Sequence, residues 1–135
     1  MTASSSSDGP LAGATVATRL PAQDLERARE WYRDKLGLEP VEERDGGLLY
    51  RMEGGGYFAL FASTGTASGD HTQMGFEVED INAAVAELKE RGVVFEPADR
   101  LVDVEGNYPS KGSGERAAWF RDSEGNLLGM GQPLP

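Results

Sequence analysis

The sequence contains no cysteine and one histidine, and its 13 Lys and Arg are outnumbered by 23 Asp and Glu. Without thiols there is no disulfide framework, thiolate nucleophile or cysteine metal site, a composition compatible with a reducing cytoplasm. The net charge of −10 opposes phosphate backbones and anionic membrane surfaces, both of which need clustered positive charge, so neither nucleic acid nor membrane is an expected partner. No run approaches the roughly 18 uninterrupted apolar residues of a membrane-spanning helix, and MTASSSSDGP lacks a charged-then-apolar signal pattern.

What is present fits one domain of 135 residues with a real core. Residues 1–13 are rich in Ser, Ala and Gly and offer little burial against the entropy of ordering them, so they are read as a loose tail. A domain over 14–135 is predicted to follow, built from modules 14–63 and 71–132. In the first, ATVATRL alternates like a strand. DLERAREWYRDKLG then places Leu25, Ala28, Tyr32 and Leu36 on one helix face, with Asp24 as cap and Gly37 as left-handed stop. LEPVEER, LLYRM and YFALFA are three further strands separated by glycine turns. The pattern restarts with the strand TQMGFEV and the helix DINAAVAELKERG, striped by Ile81, Ala84, Val85 and Leu88.

Subtraction supports an internal repeat. Asp24 to Asp80, Ala28 to Ala84 and Leu20 to Phe76 are each offset by 56, and the stops Gly37 to Gly92 by 55. Gly55 to Gly125, Tyr57 to Leu127 and Leu60 to Met130 are offset by 70, the extra residues falling in EGNYPSKGSGE. Two copies imply a pseudo-symmetric pair of strand-helix-three-strand modules, hence an α+β fold whose curved sheet encloses a concave cavity. Alternation assigns Val16, Leu20, Phe58, Leu60, Met74, Phe76, Val78, Leu128 and Met130 to the side under the helices. The cavity side receives Arg19, Tyr57, Phe61, Gln73 and Glu77. If Ser123-Glu124-Gly125 forms a three-residue loop with Gly125 left-handed, Trp119 pairs with Gly129 and also faces the cavity.

The segments LPAQDLERAREWYRDKLGLEP, MGFEVEDINAAVAELKERGVVFEP and AAWFRDSEGNLLGM resemble the vicinal-oxygen-chelate superfamily, which includes glyoxalase I, extradiol dioxygenases and bleomycin-resistance proteins. In the last segment Ser123 and Glu124 replace the Pro and Asp of the family's hairpin. The resemblance implies a divalent metal held by the first and last strands of each module, and those positions fall on Ala17, Ala59, Gln73 and Gly129. A Lewis-acid metal needs about three donors, and only Gln73 could supply one, so no metal or other cofactor is expected. Gln73 is read instead as an orienting hydrogen-bonding group. His71, two residues earlier on the same strand face, is read as a rim residue because no second imidazole completes a site.

The expected ligand-binding residues are Arg19, Tyr57, Phe61, Gln73, Tyr108 and Trp119, with small residues and an aromatic wall leaving room for an organic molecule. Tyr108 lies in EGNYPSKGSGE, read as a flap without Walker-loop spacing. These aromatics equally suit a core or a dimer contact, and Arg19 suits either a carboxylate ligand or a cross-strand pair with Glu77. The acidity points to a cationic ligand and Arg19 to an anionic one. The function that follows is a metal-independent small-molecule binding protein of the glyoxalase and bleomycin-resistance type, cytoplasmic and, by resemblance, homodimeric. The alternative is a glyoxalase-like lyase, isomerase or dioxygenase-related enzyme, with nonstandard metal donors or with Glu77 as a metal-free base.

Overall fold

In a computed structural model the described residues are 8–67, 69, 71–96, 109–110 and 115–133. Strand β1 (Thr18–Ala22) leads into helix α1 (Leu25–Trp31), which continues as one π-helical turn over Tyr32–Leu36. Strands β2 (Glu42–Arg44), β3 (Gly47–Arg51) and β4 (Tyr57–Ala62) follow. Then come β5 (Met74–Glu77), helix α2 (Ile81–Glu90), β6 (Pro109–Ser110), β7 (Glu115–Arg121) and β8 (Leu127–Pro133). The fold class is α+β, with the curved surface divided between two four-stranded sheets, β1-β4-β3-β2 and β5-β8-β7-β6. In each, the strand before the helix pairs in parallel with the last strand of its set, Leu20 opposite Leu60 and Phe76 opposite Met130.

Both helices start and stop for identifiable reasons. The Asp24 carboxylate accepts the Arg27 amide at 3.0 Å and that of Asp80 accepts Ala83 at 3.1 Å, each cap contributing about 1 kcal/mol. Gly37 terminates the first helix at φ 69° and Gly92 follows the second at φ 95°, a region where a side chain would be strained. Two consecutive aromatics face inward at the junction of the helix and the π turn. Tyr32 packs on Tyr50 and Phe58, while Trp31 stacks on Phe120 with ring centroids 6.2 Å apart.

Burial follows strand parity. Leu20, Leu48, Tyr50, Phe58 and Leu60 join Ala28 and Tyr32 of the first helix and Phe120 and Leu128 of the second sheet in one core cluster. A smaller cluster of Ile81, Val85, Ala118 and Met130 lies under α2. Met74 and Phe76 are half-buried and pack against the core, and Val78 packs under α2. Val16 departs from expectation. The strand begins at Thr18, opposite Phe58, rather than near Ala14, and Val16 lies before that ladder, 92% exposed.

One hairpin fastens the two halves. Between β7 and β8, Gly125 takes φ 87°, Asp122 donates its amide to the Asn126 carbonyl, and Trp119 falls opposite Gly129. The buried Asp122 carboxylate accepts Tyr32 Oη at 2.7 Å and Asn126 Nδ2 at 2.9 Å on one oxygen, and the Glu124 and Asn126 amides on the other. Asn126 Nδ2 also reaches the Pro21 carbonyl at 3.0 Å. Glu124 accepts two bonds from the Arg27 guanidinium and one from the Asp24 amide.

Candidate functional site

Each sheet exposes the face that its helix does not cover, and each such face forms a cleft. The first cleft encloses about 620 Å³, within the range of small-molecule sites. Its floor follows from register. Across the sheet Arg19 lies beside Ala59, Ala59 beside Leu49, and Leu49 beside Glu42; the next row runs Pro21, Phe61, Gly47, Arg44. Arg51 sits opposite Tyr57, its guanidinium carbon 5.9 Å from the ring centroid. Tyr57 and Phe61, each 36% exposed, therefore stand at the two ends of a shallow step over Ala59. Arg44 is engaged by Glu42 at the outer edge, and that hydrogen bond holds the Glu42 carboxyl below its ordinary range.

The second cleft, about 390 Å³, is floored by Gly75, Gly129, Gly131 and Ala117 and walled by Trp119, Thr72 and Glu77. The Trp119 indole donates to Thr72 Oγ1 at 2.8 Å and lies across Gly129. A Cβ on Gly129 would stand 3.0 Å from Trp119 Nε1 and 3.3 Å from Thr72 Cγ2. The β3–β4 turn borders this side of the molecule through Gly54 and Gly55 beside Glu77. A separate apolar groove of about 210 Å³ opens between α2 and Leu36, Leu38 and Met52.

The structure thus brings Arg19, Tyr57 and Phe61 together, and places Trp119 and Glu77 on the other sheet. The cross-strand Arg19–Glu77 pair does not form, because β1 ladders with β4 and β5 with β8. Gln73 is not a lining residue of these clefts. Its Nε2 donates to Asn126 Oδ1 at 3.0 Å and its Oε1 accepts the Leu127 amide at 3.3 Å, so its polar atoms brace the hairpin. His71 is exposed three residues before β5. Tyr108 lies outside the described residues, as does most of the loop that carries it.

Arg51, Arg44 and Thr72 were not anticipated. Arg51 is readable from alternation, since burial of Leu48 and Tyr50 turns Leu49 and Arg51 to the opposite face, whereas Arg44 lies on β2, whose residues are all exposed and carry no apolar alternation. Thr72 carries no such signal, because it lies before β5 and reaches the cleft through its bond to Trp119.

The metal positions implied by family resemblance do not fit an ion. Ala17 and Ala59 lie in the first cleft without donor atoms, Gln73 is committed to Asn126 and Leu127, and Gly129 lies beneath the indole. Among the described residues no three His, Cys, Asp or Glu side chains gather into a metal-binding group. Titratable groups perturbed by burial lie in the core and the hairpin. Burial pushes Tyr50 up to about 12 and, with Asp122 nearby, raises Tyr32 well above its usual range. The Arg27 hydrogen bonds hold Glu124 down to about 2.

Comparison with known proteins agrees with this architecture. Residues 14–130 match the model of the Glyoxalase/Bleomycin resistance protein/Dioxygenase superfamily. No curated protein sequence matches the chain. Among solved structures, a glyoxalase/bleomycin resistance protein from Catenulispora acidiphila is 23% identical, with TM-score 0.60, covering 89% of this chain and 97% of its own. TnmS3, an antibiotic binding protein from Streptomyces sp. CB03234, is 23% identical, with TM-score 0.62, covering 87% and 93%. Lactoylglutathione lyase from Agrobacterium tumefaciens is 24% identical, with TM-score 0.60, covering 89% and 93%. At these identities the likeness concerns the fold.

Proposed function

The chain belongs to the Glyoxalase/Bleomycin resistance protein/Dioxygenase superfamily, and from that premise we propose that it binds a small organic molecule without a metal, on the concave face of its first sheet. The observation that carries this reading is the first cleft itself. About 620 Å³ lies over the small residues Ala59 and Gly47, between Tyr57 and Phe61, with Arg19 at its side. An aromatic wall with charged groups beside it binds by apolar contact and orients by hydrogen bonding. The donor-poor positions Ala17, Ala59 and Gly129 favour metal independence, because alanine and glycine side chains cannot ligate.

A bound molecule would be held by Tyr57 and Phe61 and turned by Arg19, while Trp119 and Thr72 shape the second cleft. The likeness in fold to TnmS3, an antibiotic binding protein, supports the small-molecule part of this reading. The enzymatic alternative rests on Glu77, a carboxylate beside Thr72 and Trp119 in the second cleft, exposed to solvent. We take the two sheets as copies of one unit and the working assembly as a cytoplasmic homodimer, in keeping with the family resemblance and the absence of cysteine. No helix among the described residues is long and apolar enough to cross a membrane.

The test is a thermal-shift screen of small organic molecules on the native chain and on Ala59→Trp, which fills the step between Tyr57 and Phe61. Ligands should stabilise the native chain and lose that effect in the variant. Stoichiometric divalent metal in freshly purified protein, lost on Gln73→Ala or His71→Ala, would overturn metal independence. Light scattering giving a 14.5 kDa particle would reject the dimer.

A further inference from the structure

Eight arginines have described side chains, and six of them are paired with a carboxylate. The pairs are Arg27 with Glu124, Arg29 with Glu43, Arg33 with Asp34, Arg44 with Glu42, Arg91 with Glu87 and Arg121 with Glu96. In a chain with 23 acidic residues that is the natural outcome. The remaining two, Arg19 and Arg51, have no salt bridge among the described residues, and both line the first cleft. Arg51 faces the Tyr57 ring. The cleft's acids are Glu42, already engaged by Arg44, and Asp45, so its local balance is positive although the chain carries −10.

Resting on the small-molecule reading above, we infer that the first cleft takes a planar organic anion, a conjugated carboxylate lying over Ala59 between Tyr57 and Phe61 with its charge on Arg19. Tyr57 and Phe61 are four residues apart on β4, about 13 Å along the strand, which leaves room for roughly two fused rings between them. Ala59 between them keeps the step shallow, and Arg19 is its direct neighbour on β1. A guanidinium offers a planar fork that matches a carboxylate with two parallel hydrogen bonds. Arg51 supplies a second positive charge from β3. A cation would meet three guanidinium groups against two carboxylates in the same space, so the cleft's net charge selects against the ligand sign that the overall acidity favours.

Three probes of one shape decide the matter: 2-naphthoate, 2-naphthylmethanol and 2-naphthylmethylammonium, titrated into the full chain and followed by amide chemical shifts of Tyr57, Ala59 and Phe61. Naphthoate should bind with a Kd of about a millimolar or tighter, given its size. Binding should weaken at least about tenfold in Arg19→Gln, and less in Arg19→Lys, which keeps the charge but not the fork. Arg19 is exposed, so both variants should retain the native amide spectrum. If the alcohol or the ammonium perturbs these amides as strongly as naphthoate, or if Arg19→Gln binds naphthoate unchanged, the anion assignment falls while the small-molecule reading stands. If none of the three perturbs them, both fall.

Discussion

Replacing Asp122 with asparagine tests how the two halves of the molecule hold together. The carboxylate is 6% exposed and accepts four hydrogen bonds, from the Glu124 and Asn126 amides on one oxygen and from Asn126 Nδ2 and Tyr32 Oη on the other. An asparagine that turns its single oxygen toward the two backbone amides points its own NH2 at Asn126 Nδ2 and Tyr32. The tyrosine hydroxyl can rotate and accept, but the Asn126 amide cannot, and it keeps only its bond to Pro21. One charge-assisted bond is lost outright, at roughly 1.5–3 kcal/mol, and the other three become neutral, at about 1 kcal/mol together, so a net cost of about 2–4 kcal/mol is expected. For a domain of this size that corresponds to a fall in Tm of about 6–15 °C. Tyr32→Phe, which removes one of the four bonds, should cost about 1.5–2 kcal/mol. Guanidinium denaturation of both single variants and the double variant closes the cycle, with a coupling of about 1–2 kcal/mol expected between the two sites. A cost below about 0.5 kcal/mol for Asp122→Asn, or strict additivity, would refute the reasoning.

Glu124 has its carboxyl depressed to about 2 by the Arg27 hydrogen bonds, so its contribution to stability is complete above the ordinary carboxylate range and disappears as pH falls toward 2. With Arg27 half-exposed, solvent screening reduces that contribution to about 1–2 kcal/mol; urea melts between pH 6 and 2 should show it, and Glu124→Gln should flatten that part of the curve. The Tyr50 hydroxyl is buried without a hydrogen-bond partner among the described residues, so Tyr50→Phe should leave stability unchanged or raise it by up to about 1 kcal/mol; a loss of that size in a thermal melt would contradict the assignment. Gly129→Ala pushes a methyl against the Trp119 indole and strains its bond to Thr72; in a Trp31→Phe background, Trp119 fluorescence should shift and stability should fall by about 1–3 kcal/mol. An unchanged emission spectrum would show that the indole does not lie across Gly129.

Local chemistry made much of the fold legible. Asp24 and Asp80 announce helix starts because a carboxylate at that position satisfies an amide three residues on, and Gly125 announces the hairpin whose register places Trp119 opposite Gly129. The π turn leaves one trace in the sequence, a discrepancy of one residue: the helix-starting aspartates are 56 residues apart and the stopping glycines 55. The first helix therefore carries one residue more, and the turn at Tyr32–Leu36 absorbs it. The site was less legible. Alternation identifies which residues share a face of one strand, and so groups Tyr57 with Phe61, but it does not say which strands share a sheet. For that reason alternation alone allows Arg19 to pair with Glu77, although the two belong to different sheets. Gln73 has the right parity for a cleft, yet Asn126 and the Leu127 amide take its polar atoms, a competition among neighbours that no single strand's pattern reveals.

The hairpin between β7 and β8 also decides how finely this chain can be divided. A fragment ending near residue 63 would contain a complete sheet and its helix, but Tyr32 would face water where Asp122 stood, Arg27 would lose Glu124, and the cluster around Leu20 and Phe58 would lose Phe120 and Leu128. A fragment beginning near residue 71 would keep the hairpin with nothing to grip. The smallest heritable unit of this structure is therefore both halves together, and a gene encoding either one alone would specify a chain with an open core.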